Sequence, residues 1–345
     1  MSEPVSIHMV AARAGCSIAT VSRVINGTAQ TSAEVRERVE EAVSALAYRP
    51  SEIGRSLKTR KTRTIGIVVP SFTNPVFASS IAGVEEVARA HSRTVLLTAT
   101  EYHGEREEEI VETLLAKQVE GLVLTVADAD NSRALDRLDA AKVPYVLLYN
   151  QPARADRYAV SVDNIAGARE LVGQLIALGH KRIAFVAGRF RTSDRSLLRY
   201  QGCVEAMDEA GLPKPEVLEV DYAGDQPEEP DVLATKLRGL NAPTALFCSN
   251  DLLALAVIAA SRSIGMKVPG DVSVAGFDGI SIGTMIEPSL ASIAQPTRAM
   301  GTEAMEILHA LCQAAPVEPG VRLLQHQFRP GGSIAAAPVE SKGGT

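Results

Sequence analysis

The sequence predicts a multi-domain chain, in which an all-α helix-turn-helix head is joined by a short linking helix to a two-lobed α/β body. Three observations carry this. Apolar residues recur at helical spacing through the first fifty residues. From Thr64 the pattern changes to short, nearly continuous apolar runs that alternate with helical segments. Between the two lies a basic stretch holding Arg55, Lys58, Arg60, Lys61 and Arg63.

In the head, Ile7, Val10, Ala11 and Ala14 share one helical face, and Gly15 is placed to end that helix as a left-handed cap. Ser17 is placed to cap a second helix, SIATVSRVIN, with Val21 and Val24 on the core side and Thr20 and Arg23 on another. A helix of this kind lies in the DNA major groove with its first turns against the base edges. Spacing alone also fits a plain helical hairpin. Thr31 and Glu34 read as a capping box opening a third helix, with Val35, Val39, Ala42 and Leu46 inward and Pro50 as its stop. SEIGRSLKT then reads as a fourth helix, with Ile53 and Leu57 on one face, too short to be stable without a partner. The boundaries that follow are a head over 1–49, a linker over 50–63, a body over 64–333 and a flexible tail over 334–345.

Residues 1–63 hold ten Lys or Arg against six Asp or Glu, a net of +4, so the remainder carries −10 of the overall −6. A basic head on an acidic body suits a polyanion at one end, although a solvated charged linker gives the same count. A 46% apolar fraction over 345 residues is enough for sizeable cores. Cys16, Cys203, Cys248 and Cys312 show neither metal nor redox spacing, and Cys16 is expected as a buried thiol. With no signal-peptide pattern and no apolar run of membrane length, the expectation is a cytoplasmic protein without a membrane partner.

In the body, TIGIVV, TVLLTA, GLVLTV and YVLLYN are expected strands between helices, the first lobe. YAVSVDN is taken as the point where the pattern restarts, followed by the strands KRIAFVAG, EVLEVDY, ALFCSN and VSVAGFDG. The acidic stretches around Glu216 and DQPEEPD are expected as exposed loops. No catalytic arrangement stands out: the first strand runs into VVPSFTNP rather than a glycine-rich phosphate loop, and the six histidines lack zinc spacing. Glu107, Glu108 and Glu109 read as a solvated helix face. The expectation is a non-enzyme with no cofactor.

Ligands of open α/β sheets gather beyond the carboxyl ends of strands. There the sequence offers Ser71, Phe72, Asn74, Phe77, Tyr149, Asn150, Arg195, Arg199, Asn250 and Asp278. Carboxylates and amides accept sugar hydroxyl protons, arginine donates, and Phe72, Phe77 or Phe277 offers a ring face. Asn250 also fits a helix cap and Asp278 a turn with Gly279. The arginines Arg191, Arg195 and Arg199 leave a phosphorylated or acidic sugar open.

The run VAARAGCSIATVSRVINGTAQTSAEVRERVEEAVSALAYRPSEIGRSLKTRKTRTIGIVVP resembles the N-terminal signature of the lac repressor family of bacterial regulators. The likeness continues through TNPVF, ALGHKRIAFVAG, SNDLLALA, VPGDVSVAGFDG and PSLASIAQP, nearly to the end of the chain. It implies a homodimeric repressor of carbohydrate-utilisation genes that binds operator double-stranded DNA and answers to a small effector, a sugar or sugar derivative. Its core would be periplasmic-binding-protein-like, with one lobe over about 64–160 and 294–326 and the other over about 163–291 and 328–333. By this likeness Ile18 and Ala19 vary with the operator, Arg23 contacts DNA, and Thr20, Ser22 and Asn26 hold the backbone, with the capping Ser17 counted among the DNA-binding residues. Leu57 of the hinge helix enters the minor groove, with Arg55 and Lys58 beside it. Arg199, Asn250 and Asp278 match effector-binding positions, and Asp163 and Gln295 lie at the expected lobe crossovers. The dimer would bury helix faces such as Val84, Val87 and Ala88. Two departures stand out: GRFRTSD with its Arg189 and Arg191, and a polar C-terminus without leucine heptads, which favours a dimer over a tetramer. A solute receptor without DNA function, and a regulator answering to a purine, sugar acid, sugar phosphate or partner protein, are the rival readings.

Overall fold

The computed structural model describes residues 5–27, 31–48, 62–223, 226–227, 230–238, 240–241 and 243–338. The chain divides into two compact units, Met1–Thr62 and Arg63–Thr345.

The first unit holds α1 (Ile7–Ala14), α2 (Ile18–Asn26) and α3 (Ala33–Ala45). Gly15 closes α1 at φ 62°, a conformation that costs glycine nothing. Val10, Ala14, Val21, Val39 and Ala42 form the small core. Cys16 sits in the turn at its edge and is half-buried, not the fully buried thiol expected. The third helix is capped by Ser32, whose hydroxyl accepts from the Val35 N–H at 3.4 Å. The cap therefore falls one residue after Thr31, because Ser32 is the residue with extended ψ next to the helix.

The second unit is built on two six-stranded sheets. The first runs β13 (Gly320–Leu324), β5 (Tyr158–Val162), β4 (Tyr145–Leu148), β3 (Gly121–Leu124), β1 (Thr64–Val69) and β2 (Thr94–Ala99), all parallel. The second runs β14 (Gln327–Arg329), β12 (Ala291–Ala294), β11 (Ser273–Asp278), β10 (Ala245–Cys248), β6 (Ile183–Gly188) and β7 (Glu216–Val220), with β14 antiparallel at its edge. A short antiparallel pair, β8 (Tyr222–Ala223) and β9 (Gln226–Pro227), follows β7. Flanking helices are α4 (Pro75–Ala90), α5 (Glu105–Ala116), α6 (Arg133–Ala141), α7 (Asn164–Ala177), α8 (Asp194–Glu209), α9 (Pro230–Arg238), α10 (Asp251–Ser263) and α11 (Thr297–Cys312). Helices cover the sheets, so the central strands are buried along their length, as their unbroken apolar runs require. Among the described residues no helix is long and apolar enough to cross a membrane.

Several expectations shift. The strand YAVSV does not open the second lobe: β5 pairs with β4 through Leu147↔Ala159 and Leu148↔Val160, and the chain crosses only at Asp163. The return crossing follows β12, which pairs with β11, and so falls at Gln295 and Pro296, just beyond the expected lobe boundary between 291 and 294. Glu216 opens the expected strand EVLEV and so is not part of a loop, and helix α9 starts inside the DQPEEPD stretch, anchored by buried Leu233 and Leu237 at a four-residue spacing. The start of the expected free tail is held: the Ala335 N–H donates to Ser273 Oγ, and the Ala337 N–H to the Leu178 carbonyl. Val84, Val87 and Ala88 are at most 6% exposed, packed into their own lobe, and are not free to form a dimer face.

The C-terminal helix α11 returns to lobe one and lies against α4 at backbone contact. A Cβ built on Gly301 would stand 2.0 Å from the Ser80 carbonyl oxygen, and one on Gly83 2.2 Å from that of Arg298. Gly301→Val should therefore destabilise the body by about 1–3 kcal/mol or more through overpacking, read as a lower urea midpoint. An unchanged midpoint would show that the two helices can separate freely.

Candidate functional site

The exposed face of α2 is defined by its cap. Ser17 Oγ accepts from the Thr20 N–H at 3.1 Å and bonds Thr20 Oγ1 at 2.9 Å. With Val21 fully buried, Ile18 is 39% exposed, and Ala19 and Arg23 are exposed beside it. Thr20 and Ser22 are half-buried. Asn26 ends the helix, and its side chain lies outside the described residues, as do Arg55, Leu57 and Lys58.

The body has a second candidate site, a narrow cleft between the lobes with a cavity volume of about 40 Å³. Asn74, Phe77, Tyr149, Arg195, Arg199, Asn250, Asp278 and Gln295 line it, eight of the thirteen residues expected from sequence. Val76, Tyr102, Ser193 and Ser196 also line it and were not expected. Tyr102 follows β2, the same strand-end signal that pointed to the others; the two serines belong to the N-terminal turn of α8.

At its floor is a buried cation. Arg199, 5% exposed, donates from Nε to Asn164 Oδ1 at 2.8 Å, and from Nη1 to the Ser249 carbonyl at 2.5 Å and to Asp278 Oδ1 at 3.3 Å. Its guanidinium stands 3.8 Å above the Phe277 ring. Asp278 also accepts from Gln295 Nε2 at 2.8 Å. Burial pushes its carboxyl up to about 6 against the pull of Arg199. Its φ of 121° is a conformation few residues other than glycine adopt. Asp251 lies behind, accepting from Ser292 Oγ at 2.6 Å and the Ile280 N–H at 2.8 Å, and is pushed up to about 7 by burial and by the charge of Asp278.

The other wall belongs to lobe one. Asn74 caps α4, its Oδ1 accepting from the Val76 N–H at 3.2 Å. Phe77 meets Tyr149 edge to face at 5.4 Å, and the Tyr149 hydroxyl donates to the Val76 carbonyl at 2.8 Å. Five expected residues do not line the cleft. Ser71 is buried and holds the turn that leads to Asn74, and Phe72 is 55% exposed to solvent. Asp163 caps α7 through the Ala166 N–H, Asn150 is spent on main chain and Asp194, and Phe277 lies beneath Arg199. Asn250 does both things the sequence allowed, capping α10 through the Leu253 N–H at 2.9 Å while lining the cavity.

The lobes are bonded directly across one side. The Asp194 N–H donates to the Ala127 carbonyl at 2.8 Å, and Asp194 Oδ2 accepts from the Ala129 N–H at 3.1 Å and Asn150 Nδ2 at 2.7 Å. Arg195 Nη1 donates to the Val126 carbonyl at 2.7 Å. Glu107 supports the same loop from behind, its Oε1 accepting from the Ala127 N–H at 2.7 Å. It is 7% exposed, so it is no part of a solvated helix face, and burial with the nearby charges of Asp194 and Asp128 pushes its carboxyl up to about 7. Its neighbours Glu108 and Glu109 are half-buried and exposed. Farther out, Arg189 pairs with Asp221 at the surface and does not line the cleft.

Comparison with known proteins adds the following. Residues 6–51 match the model of "Bacterial regulatory proteins, lacI family", and residues 172–334 match that of a periplasmic binding protein-like domain. The chain is 33% identical over 325 residues to the HTH-type transcriptional regulator GntR of Escherichia coli (strain K12), covering 94% of this chain and 97% of the relative. Among solved structures it is similar to the lac repressor dimer bound to operator and the anti-inducer ONPF, with a TM-score of 0.84 at 28% identity over 97% of this chain and 100% of that one. It is also similar to the transcriptional regulator CelR–cellobiose complex, with a TM-score of 0.69 at 30% identity over 95% and 99% of the two chains.

Glu107 gives this region a pH signature. Its folded value, about 7, lies above the ordinary 4.5, so the folded chain binds the proton more tightly than the unfolded one. That contribution to stability is full below the unfolded value, is lost as pH rises through the folded one, and is flat above it. Glu107→Gln keeps an oxygen for the Ala127 N–H and removes the titration. Between the two values the variant should lose less stability than the wild type, by at most about 3 kcal/mol. Parallel pH profiles in urea unfolding would show Glu107 to be solvated.

Proposed function

This chain belongs to the lacI family of bacterial regulatory proteins, and from that premise we propose that a small polyhydroxylated effector in the inter-lobe cleft sets its affinity for operator DNA. The protein is a sequence-specific DNA-binding transcriptional regulator. The observation that carries the effector reading is the convergence of Arg199, Asn250, Asp278 and Gln295 on one cavity. Donors and acceptors stand side by side there, as hydroxyl groups require. Charge argues for a neutral polyol: Arg199 is paired with Asp278 and Arg195 with Asp194, so an anionic effector finds no uncompensated cation. Phe77 supplies the ring face. The CelR relative, bound to cellobiose, points the same way. Such a protein represses carbohydrate-utilisation genes, works in the cytoplasm and catalyses nothing.

The lac repressor relative is a dimer on its operator, and a dimer suits this chain too. Exposed apolar residues offer the contact: Leu97 on β2, 40% exposed, and Ile282 and Met285 after β11, 44% and 77%. On DNA, Ile18, Ala19 and Arg23 meet the base edges. Ser17, Thr20, Ser22 and Asn26 serve the backbone, while Arg55, Leu57 and Lys58 complete the surface.

Asp278→Asn should lower sugar affinity by about 1–3 kcal/mol while leaving operator affinity without sugar nearly unchanged. Calorimetry with the best sugar of a screened panel gives the first term and an operator titration the second. Wild-type sugar affinity in this variant would place the effector elsewhere.

Arg23→Ala should cost about 1–3 kcal/mol of operator affinity if its guanidinium grips a base bidentately. Exchanges at Ile18 or Ala19 should instead change which operator is preferred. A folded Arg23→Ala protein with undiminished affinity in a gel-shift titration would remove Arg23 from the interface.

A further inference from the structure

Helices α4 and α11, which touch at backbone distance, meet near their C-terminal ends in a pair of stacked histidines. His91, the residue that ends α4, lies flat on His309 of α11, with ring centroids 3.6 Å apart and planes 11° from parallel. From each histidine the chain goes on to the same residue, Glu120, just before β3. Past His91, Arg93 Nη1 donates to Glu120 Oε2 at 2.8 Å. Past His309, Cys312 Sγ donates to the Glu120 carbonyl at 3.4 Å. Glu120 in turn holds the point where the body begins. Its Oε1 accepts from the Arg63 N–H at 2.7 Å, and the Arg63 carbonyl accepts from the Thr94 N–H at 2.8 Å. Arg63 ends the basic linker stretch, and its φ of 53° is one that a residue other than glycine keeps where its surroundings hold it.

Uncharged, the two rings form a close contact. Two imidazolium cations at this separation repel, so the stack can hold one proton but not two. His309 resists the second for another reason: its Nδ1 is buried with no hydrogen-bond partner, so a proton placed there meets no acceptor. Burial pulls the His309 ring below the ordinary histidine value, and the neighbouring His91 and Arg93 add to this, against Glu306. Glu306 Oε2 stands 3.8 Å from His91 Nε2 at the surface. The other charged groups nearby are engaged: Arg93 with Glu120, and Arg89 of α4 with Glu85 at 3.2 Å. With a folded value below the unfolded one, the contribution of His309 to stability is full above the ordinary value. It falls as pH drops from there to the folded value and is flat below. We propose that His91 and His309 form a proton-sensitive joint between the helix pair and the linker: in acid the doubly protonated pair parts, the grip on Glu120 and Arg63 loosens, and operator DNA is held less tightly. The joint rests on operator binding and not on the effector assigned to the cleft.

The test is hydrogen exchange and operator titration of the full chain, without sugar, at about pH 7.5 and about pH 5.5, either side of the histidine range. After correction for intrinsic exchange rates, the Arg63 and Thr94 amides should lose about tenfold of their protection in acid. His309→Phe keeps a stacked ring and removes the titrating group, so its amides should stay protected. Over the same interval, wild-type operator affinity should fall about tenfold relative to that of the variant. The exposed His8 of the head titrates alike in both proteins and cancels in this ratio. His91→Phe takes the place of His309→Phe should the latter not fold. The proposal is overturned if the wild-type amides are equally protected at both pH values, or if the variant loses protection as the wild type does. It is overturned too if protection changes while the operator affinities of wild type and variant move in step.

Discussion

The body depends on satisfying one buried guanidinium. Arg199 cannot shed its charge, so the fold must bring acceptors to it, and they come from three separate places: Asn164 at the start of α7, the Ser249 carbonyl after β10, and Asp278 at the end of β11. The backbone at Asp278 takes an uncommon conformation, φ 121°, where the carboxylate meets this need. Gln295, on the returning crossover, bonds the same carboxylate oxygen. One charge thus fixes the ends of two neighbouring strands, a helix start and a connection between lobes. A ligand that engages Arg199 or Asp278 touches a group already wired to the crossover.

Much of this was legible in the sequence because it rests on local rules. Gly15 and Ser17 announced their caps, since a left-handed glycine and an N-cap serine act within three residues. Continuous apolar runs identified buried parallel strands. Strand ends located seven of the cleft residues, because open sheets bind at that edge, and the expected lobe crossover located the eighth, Gln295. What was hidden is long-range. Nothing within YAVSV says that its partner is β4 and not β6, since parallel strands in both lobes share one composition. Glu107 looked solvated beside Glu108 and Glu109; its burial comes from the Ala127 loop twenty residues away. The burial of Arg157 carried no signal, because an arginine before a strand is ordinarily a surface residue.

The same long-range logic separates the two ends of lobe one. At the cleft, cation and carboxylate are paired, and burial raises the Glu107 carboxyl against the hydrogen bond of the Ala127 loop it supports. At the amino ends of β4 and β5, the nearby carboxylates are hydrogen-bonded by Tyr145 and Arg154, and Arg157 pairs with Asp139 only at 4.0 Å. Composition cannot distinguish these cases, as each holds arginine, aspartate and tyrosine. Pairing does, and pairing is a property of the fold.

The lobes are bonded directly to each other. Asp194 and Arg195 grip lobe one through four bonds, three to the loop after β3 and one to Asn150 after β4, and Asp194 is 19% exposed, so separating the lobes would cost hydrogen bonds to a charged, poorly hydrated group. A hydrogen bond to a charged group contributes about 1.5–3 kcal/mol. An effector moves such an equilibrium only by its difference in affinity between the two arrangements. A molecule bound to Arg199 and Asp278 alone would bind open and closed lobes equally and shift nothing. One that also reaches Asn74, Phe77 or Tyr149 loses those contacts on opening and adds its energy to the grip of Asp194. On the proposed reading, the residues that give the cleft its leverage over DNA are therefore those of lobe one, even though the buried guanidinium of the site belongs to lobe two.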